Sequence, residues 1–315
     1  LQWWGARRVG MTFQPLFNLT HPDLKRYIIL TVPLMAGLTM MFSMEIFIRF
    51  FGAYLEPGSV AGLNYSRTIL LIPVGLFGQA VGVASYPFMA RLIAENKLQE
   101  MNDLLNSALR YLALVIPVSV LFMVTRYEIV QILFERGRFD SAATTMTAYI
   151  LVFLLPGAFA LSAYTIVVRG YYASQNTWFP AIFGTIAVLL SLPIYWYGMQ
   201  MMGAGGIGMA ISLSSIIQVG TLYVLWNHRT RNIGSRKVYL FYLQMIILSG
   251  IIGVGLEYLR HLILGHIDTT TDMGSLLMIV IIGTVFIITL YSSGRLLGIR
   301  EIDDLSRRLV KKISR

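Results

Sequence analysis

The chain has no cysteine, so a disulfide framework, a thiolate nucleophile and a cysteine-based zinc site are all excluded. Charge is also scarce. Asp, Glu, Lys and Arg make up 13% of the residues, against about 25% in an ordinary soluble domain. There are 4 histidines (His21, His228, His261 and His266), and none stands in an HExxH spacing. No G-x-x-x-x-G-K-[ST] run occurs, so no Walker loop for ATP hydrolysis is offered. Any uphill work must then draw on an ion gradient, a membrane potential or downstream consumption. The sequence begins with Leu1 and carries no cleavable signal pattern, so we expect a piece of something longer.

Hydrophobic residues are abundant, at 56% of the chain with a mean hydropathy of +0.68. Apolar runs of about 18 residues or more are the mark of membrane helices. They occur here at 27–54, 60–90, 106–124, 143–172, 178–200, 206–226, 238–260 and 275–297, the third being the weakest. Trp178, Tyr195, Trp196, Tyr197 and Trp226 fall near the ends of these runs, where interfacial aromatics belong. The expected fold class is therefore an all-α polytopic membrane protein of about eight transmembrane helices.

The formal charge of +10 would suit a nucleic-acid partner, but its distribution indicates otherwise. On an eight-span reading, 19 of the 25 Lys and Arg fall on the side shared by both termini, 5 on the other, and Arg49 within the first span. By the positive-inside rule both ends are cytoplasmic, and no nucleic-acid partner is expected. In the tail 301–315, Ile302, Leu305, Leu309 and Ile313 recur at helical spacing among basic residues. That pattern reads as a basic amphipathic helix on the inner leaflet, or as a plain solvated tail. Residues 127–136 form a similar short amphipathic piece on the outer face.

The run Gly203-Ala204-Gly205-Gly206-Ile207-Gly208 matches G-x-G-x-x-G. It follows no buried strand, so close helix packing explains it better than dinucleotide binding. Charges at membrane depth are more informative, because each costs at least a few kcal/mol there. Glu45 and Arg49 stand i, i+4 on one helix face. Either they neutralise each other, or Arg49 faces a wet cavity and binds an anionic head group, with Glu45 orienting it or exchanging a proton. Arg67 lies roughly 12 Å inside its helix if that helix starts near Ser59. Asn64, Tyr65, Ser66 and Thr68 beside it supply hydrogen-bonding groups for a polar cavity; the alternative is snorkelling to the interface. Arg169 reads as a positive-inside anchor, and Glu257 with Arg260 as an outer-rim pair. Prolines 33, 73, 87, 117, 156 and 193 interrupt the spans. They suit bent helices around a vestibule, because the carbonyls they free need partners or water.

Three stretches together resemble the MurJ/MviN family of bacterial lipid II flippases. Leu55-Glu56-Pro57-Gly58-Ser59-Val60 leads through Leu63-Asn64-Tyr65 into Leu71-Ile72-Pro73-Val74-Gly75-Leu76-Phe77-Gly78. Leu133-Phe134-Glu135-Arg136-Gly137-Arg138-Phe139 follows, then Arg169-Gly170-Tyr171-Tyr172-Ala173-Ser174-Gln175-Asn176-Thr177 and Pro180. The resemblance implies a MATE-like fold of two six-span lobes facing one cavity, with two extra C-terminal spans. It divides this chain into an inter-lobe connection (1–21), a second lobe (22–230), the extra pair (231–300) and the tail (301–315), with the first lobe missing. It also implies alternating access without a cofactor, in the cytoplasmic membrane. The cargo would be undecaprenyl-pyrophosphate-linked muropeptide, its pyrophosphate held by cavity cations. The family commonly reads Ala-Asp-Arg-Leu after Asn-Tyr, whereas this chain has Ser66-Arg67-Thr68-Ile69, its arginine one position early. The implied substrate residues are Arg49, Arg67, Thr68 and Asn64, with Glu45 as a modulating acid.

Three other functions compete. A drug or cation antiporter of the same fold would show buried carboxylates, and Glu45 is the only acid well inside a span; another lipid-linked saccharide as cargo stays open. A membrane enzyme would need a catalytic set in an outer loop. His261, His266, Asp268 and Asp272 match no metal or triad spacing. A non-transporting scaffold is separable only by a transport measurement.

Overall fold

The computed structural model describes residues 7–8, 10–11, 22–41 and 43–303. No strand occurs among them. The helices are α1 (Pro22–Met41), α2 (Ser43–Gly52), α3 (Ser59–Pro73), α4 (Ala80–Ala94), α5 (Leu98–Leu112), α6 (Val115–Val124) and α7 (Arg126–Phe134). They continue with α8 (Ser141–Leu154), α9 (Ala158–Ala173), α10 (Trp178–Thr230), α11 (Ser235–Leu264) and α12 (Asp272–Leu296).

Among the described residues 6 continuous helical stretches are long and apolar enough to cross a membrane. The expected runs map onto them unevenly. The first, 27–54, falls on α1 and α2, with residue 42 between them outside the described set. The third begins at Leu98 rather than 106. Its early turns bury only one face, through Met101, Leu105, Leu109 and Leu112, so a search for unbroken apolar runs passes over them. The fifth and sixth are one helical assignment, Trp178–Thr230, bent at Gly203 with φ 58° and ψ −131°. The bend is sharp enough that a Cβ on Gly198 would lie 2.6 Å from the carbonyl oxygen of Gly206. Eight residues of straight helix would separate them by about 12 Å, so the two legs fold back on each other. The G-x-G-x-x-G run is this turn, since only glycine gives both the positive φ and the backbone contact. The reading of the tail lies outside the described residues from 304 onward, as does most of the 1–21 connection.

Two of the prolines break their helices, and neighbouring hydroxyls reach the irregular turns that follow or surround them. After Pro73 the chain widens into a π-helical turn, Val74–Gln79. There the Gly78 carbonyl faces the Thr165 hydroxyl at 3.3 Å. At Pro156 a 3₁₀ turn, Leu155–Gly157, separates α8 from α9. Ser212 of α10 inserts at that break, accepting from the Gly157 amide at 3.0 Å and pointing its hydroxyl at the carbonyls of Phe153 (2.7 Å) and Leu154 (2.9 Å). Irregular backbone at membrane depth is tolerated on those terms.

The core has two main clusters, one gathering α2, α3, α8 and α10, the other α4, α5, α9 and α10. A polar network holds the basic end: Asn102 accepts from Trp226 Nε1 at 3.0 Å, and Asn106 accepts from the Tyr223 hydroxyl at 2.6 Å and bonds the Asn232 amide at 2.9 Å. The last two helices stand beside this body, α11 against α6 and α12 against α7.

Candidate functional site

Helix α3 has two unlike faces. Gly62, Leu63, Ser66, Ile69 and Leu70 are buried, and Ser66 donates to the Thr147 carbonyl of α8 at 2.9 Å. The opposite face carries Asn64, Tyr65, Thr68, Leu71 and Ile72, all exposed. Asn64 and Thr68 therefore form a polar patch at i, i+4 within an apolar stripe, and the Thr68 hydroxyl bonds the Asn64 carbonyl at 3.0 Å. Arg67 sits on the flank between the two faces. It is half-buried, its Nε is shut off from solvent with no hydrogen-bond partner, and it makes no ion pair among the described residues. A one-residue step turns a side chain by about 100°. That step is why the arginine is on the flank and Thr68 is on the open face.

Helix α2 meets α3 through Gly52, against Val60 and Leu63. Arg49, one turn before Gly52, is bound to Glu45, Nη2 to Oε1, at 2.7 Å. Its side chain is 71% exposed and that of Glu45 35%. The expected pair thus forms and is open to a competing anion. The structure brings Glu45 to Arg49 and Asn64 to Thr68; Arg67 bonds to none of them.

The quoted motifs turn out to be largely scaffolding. Phe134 and Phe139 close on the Tyr65 ring at 4.7 and 5.0 Å, and Glu135 accepts from the Thr144 hydroxyl at 2.5 Å. Tyr171 donates to the Leu222 carbonyl at 3.0 Å and packs edge-on against Trp226. Asn176 Oδ1 accepts from the Phe179 amide at 3.2 Å and so steadies the start of α10.

Two sequence expectations are refined by the packing. Arg169, in the last turns of α9, is wedged against a neighbouring helix. Its guanidinium lies against Gly82 of α4 and near Thr165, with Nη1 buried and lacking a hydrogen bond. Gly82 was the available signal, because only a glycine leaves room for that group. Arg260 does pair with Glu257, at 3.7 Å, but it is buried rather than on a rim, and its shorter bond, 2.8 Å, goes to Glu128 of α7; Glu257 also stands 3.4 Å from Arg126. The loop charges suggested for an enzyme stay dispersed, and no His, Asp or Glu group among the described residues could hold a metal ion. Asp268 caps its own turn through Thr270.

A family model described as "Lipid II flippase MurJ" matches residues 1–292. The probable lipid II flippase MurJ of Rhizobium tropici is 24% identical over 98% of this chain and 58% of its own length. That of Thermotoga maritima is 28% identical over 81% of this chain and 50% of its own. Among solved structures, a lipid II flippase MurJ in an inward closed conformation superposes with a TM-score of 0.67 at 22% identity, over 94% of this chain and 59% of that one. A MOP superfamily transporter from Pyrococcus furiosus gives a TM-score of 0.56 at 15% identity, over 85% of this chain and 62% of that one. The chain therefore spans only about half the length of the relatives it matches.

Proposed function

The chain belongs to the lipid II flippase MurJ family, and from that premise we propose that it is the second lobe and extra helical pair of a lipid II flippase working by alternating access. In this reading α1–α2, α3–α4, α5–α6, α8–α9, the two legs of α10, α11 and α12 make eight crossings of the cytoplasmic membrane, with both ends cytoplasmic. A first lobe outside this sequence completes the cavity.

The observation that carries the reading is Arg67, a half-buried guanidinium with no counter-charge beside the open Asn64–Thr68 patch. A pyrophosphate–sugar head group does not cross hydrocarbon unaided, because its charges lose their hydration. Guanidinium donors replace that hydration with charge-assisted hydrogen bonds, and the planar, permanently charged Arg suits phosphate better than Lys. Arg67 supplies one such donor group and Arg49 the second, once the phosphate displaces Glu45. Glu45 then has a role in release: it recaptures Arg49 when the cavity opens outward. Binding equally tight in both conformations would stall transport.

The test uses the intact protein in a bacterium depleted of its own flippase, scoring lipid-linked precursor exposed on the outer leaflet. Wild type should restore exposure, and Arg49→Ala/Arg67→Ala should not. Restoration by both would keep the flippase and remove the arginine assignment. No restoration by well-expressed wild type would point to another lipid-linked cargo or a scaffold.

A further inference from the structure

At the basic end, away from the α2–α3 site, lies an open surface hollow of about 290 Å³. That is near the lower limit of small-ligand pockets, roughly 300–1,000 Å³, and suits a head group better than a whole lipid. Lys237, Leu240, Phe241 and Gln244 line one side, the i, i+3, i+4, i+7 face of α11, and Arg110 of α5 lines the other.

Its chemistry is that of an anion receptor with an apolar floor. Arg110 is locked in place: its guanidinium lies 4.8 Å above the Phe241 ring and its Nη2 holds Glu301 at 2.7 Å. Glu301 offsets part of that charge, and Arg110 Nε is buried without a partner. Lys237 and the preceding Arg236 are exposed and form no ion pair among the described residues. Gln244 is about 10 Å further along the helix and adds an amide donor one layer deeper.

The helix surface continuing from this hollow is apolar and bare. Leu240, Leu243, Ile247, Ile251 and Val254 are 54–75% exposed and follow one stripe down α11. Cations at the helix start, a polar pocket just inside, and an apolar track running on toward the far end match a lipid in cross-section. Basic pockets between membrane helices at the cytoplasmic face are suited to anionic lipid head groups.

We propose that this hollow binds the phosphate of an anionic glycerophospholipid of the inner leaflet, with Lys237, Gln244 and Arg110 as donors and the Leu240–Val254 stripe carrying an acyl chain. The site is separate from the proposed cargo cavity, and its test does not depend on transport.

Native mass spectrometry of the intact purified protein, titrated with phosphatidylglycerol, phosphatidylcholine, inorganic phosphate or a polyprenyl pyrophosphate, decides it. Wild type should retain one phosphatidylglycerol at least roughly tenfold better than phosphatidylcholine. Lys237→Glu and Gln244→Leu should lose that preference, and Arg295→Ala, with its cation outside the hollow, should keep it. Thermal melts matching wild type establish that the variants are folded. Equal retention of the two phospholipids would overturn the proposal, leaving only a greasy stripe. Displacement by inorganic phosphate would overturn it in favour of a soluble anion. Preferential capture of the polyprenyl pyrophosphate would assign the hollow to the cargo instead.

Discussion

Arg260 of α11 and Glu128 of α7 meet at 2.8 Å, their side chains 7% and 1% exposed, and join the last two helices to the rest of the fold. Tyr127 lies under both Arg260 and Arg126, and Arg126 reaches Glu257 at 3.4 Å. Four charges, two of each sign, thus alternate between the short α7 and the long α11. Gln131, which donates to the Thr270 carbonyl at 3.1 Å, extends the contact to the turn before α12. Two helices with mostly lipid-facing surfaces gain a specific seat on the body this way. Apolar packing alone does little to choose a seat in lipid, because the alternative neighbour is equally apolar.

Removing one partner of that pair should cost up to about 3–5 kcal/mol, since it leaves Glu128 buried and unpaired, or Arg260 with only the longer 3.7 Å contact to Glu257. Glu128→Gln alone is expected to lower the unfolding midpoint sharply. Glu128→Leu with Arg260→Met is expected to stay close to wild type. A denaturation series on Glu128→Leu, Arg260→Met and the double variant gives the coupling. Purely additive losses would mean that the two side chains stabilise the seat independently.

The Glu45–Arg49 pair should behave in the opposite way. It is exposed, so Glu45→Gln is expected to change stability by less than about 1 kcal/mol. In the flippase reading it should nevertheless change transport, because Arg49 loses the carboxylate that competes with cargo. Transport and melting curves on the same preparation separate the two effects. Unchanged transport would reduce the pair to simple neutralisation.

Arg169 stabilises little in the state described. Its Nη1 is buried without a partner, and an unsatisfied buried donor costs about 1–3 kcal/mol. Arg169→Gln is therefore expected to melt at the same temperature as wild type or higher. A clear drop in the melting temperature would show that the guanidinium is satisfied in another conformation of the protein.

The hairpin at Gly203 depends on glycine where the two legs meet. A Cβ at position 206 would run into the Gly198 carbonyl, which is backbone and has nowhere to move. Gly206→Ala should sharply reduce folded protein in the membrane. Gly220→Ala on the same helix meets nothing within 4 Å and should be neutral. Quantified membrane-extracted, monodisperse protein provides the comparison.

The membrane class, the approximate positions of the apolar runs and the i, i+4 pairing of Glu45 with Arg49 were legible in the sequence. Each follows from a local rule: transfer free energy summed along a run, or helical periodicity over one turn. Even the one-position shift of Arg67 carried its consequence, because a single step of helix has a known rotation. What the sequence left open depends on which helices lie side by side. Arg169 against Gly82, Ser212 at the Pro156 break, Asn106 with Asn232, and Arg110 with Glu301 each join residues from separate segments. So does the closer partner of Arg260: sequence proximity supplies Glu257, at 3.7 Å, and three-dimensional packing adds Glu128, at 2.8 Å. A charge at membrane depth takes whichever opposite charge or carbonyl packing brings within hydrogen-bond reach. That choice is made only when the helices pack.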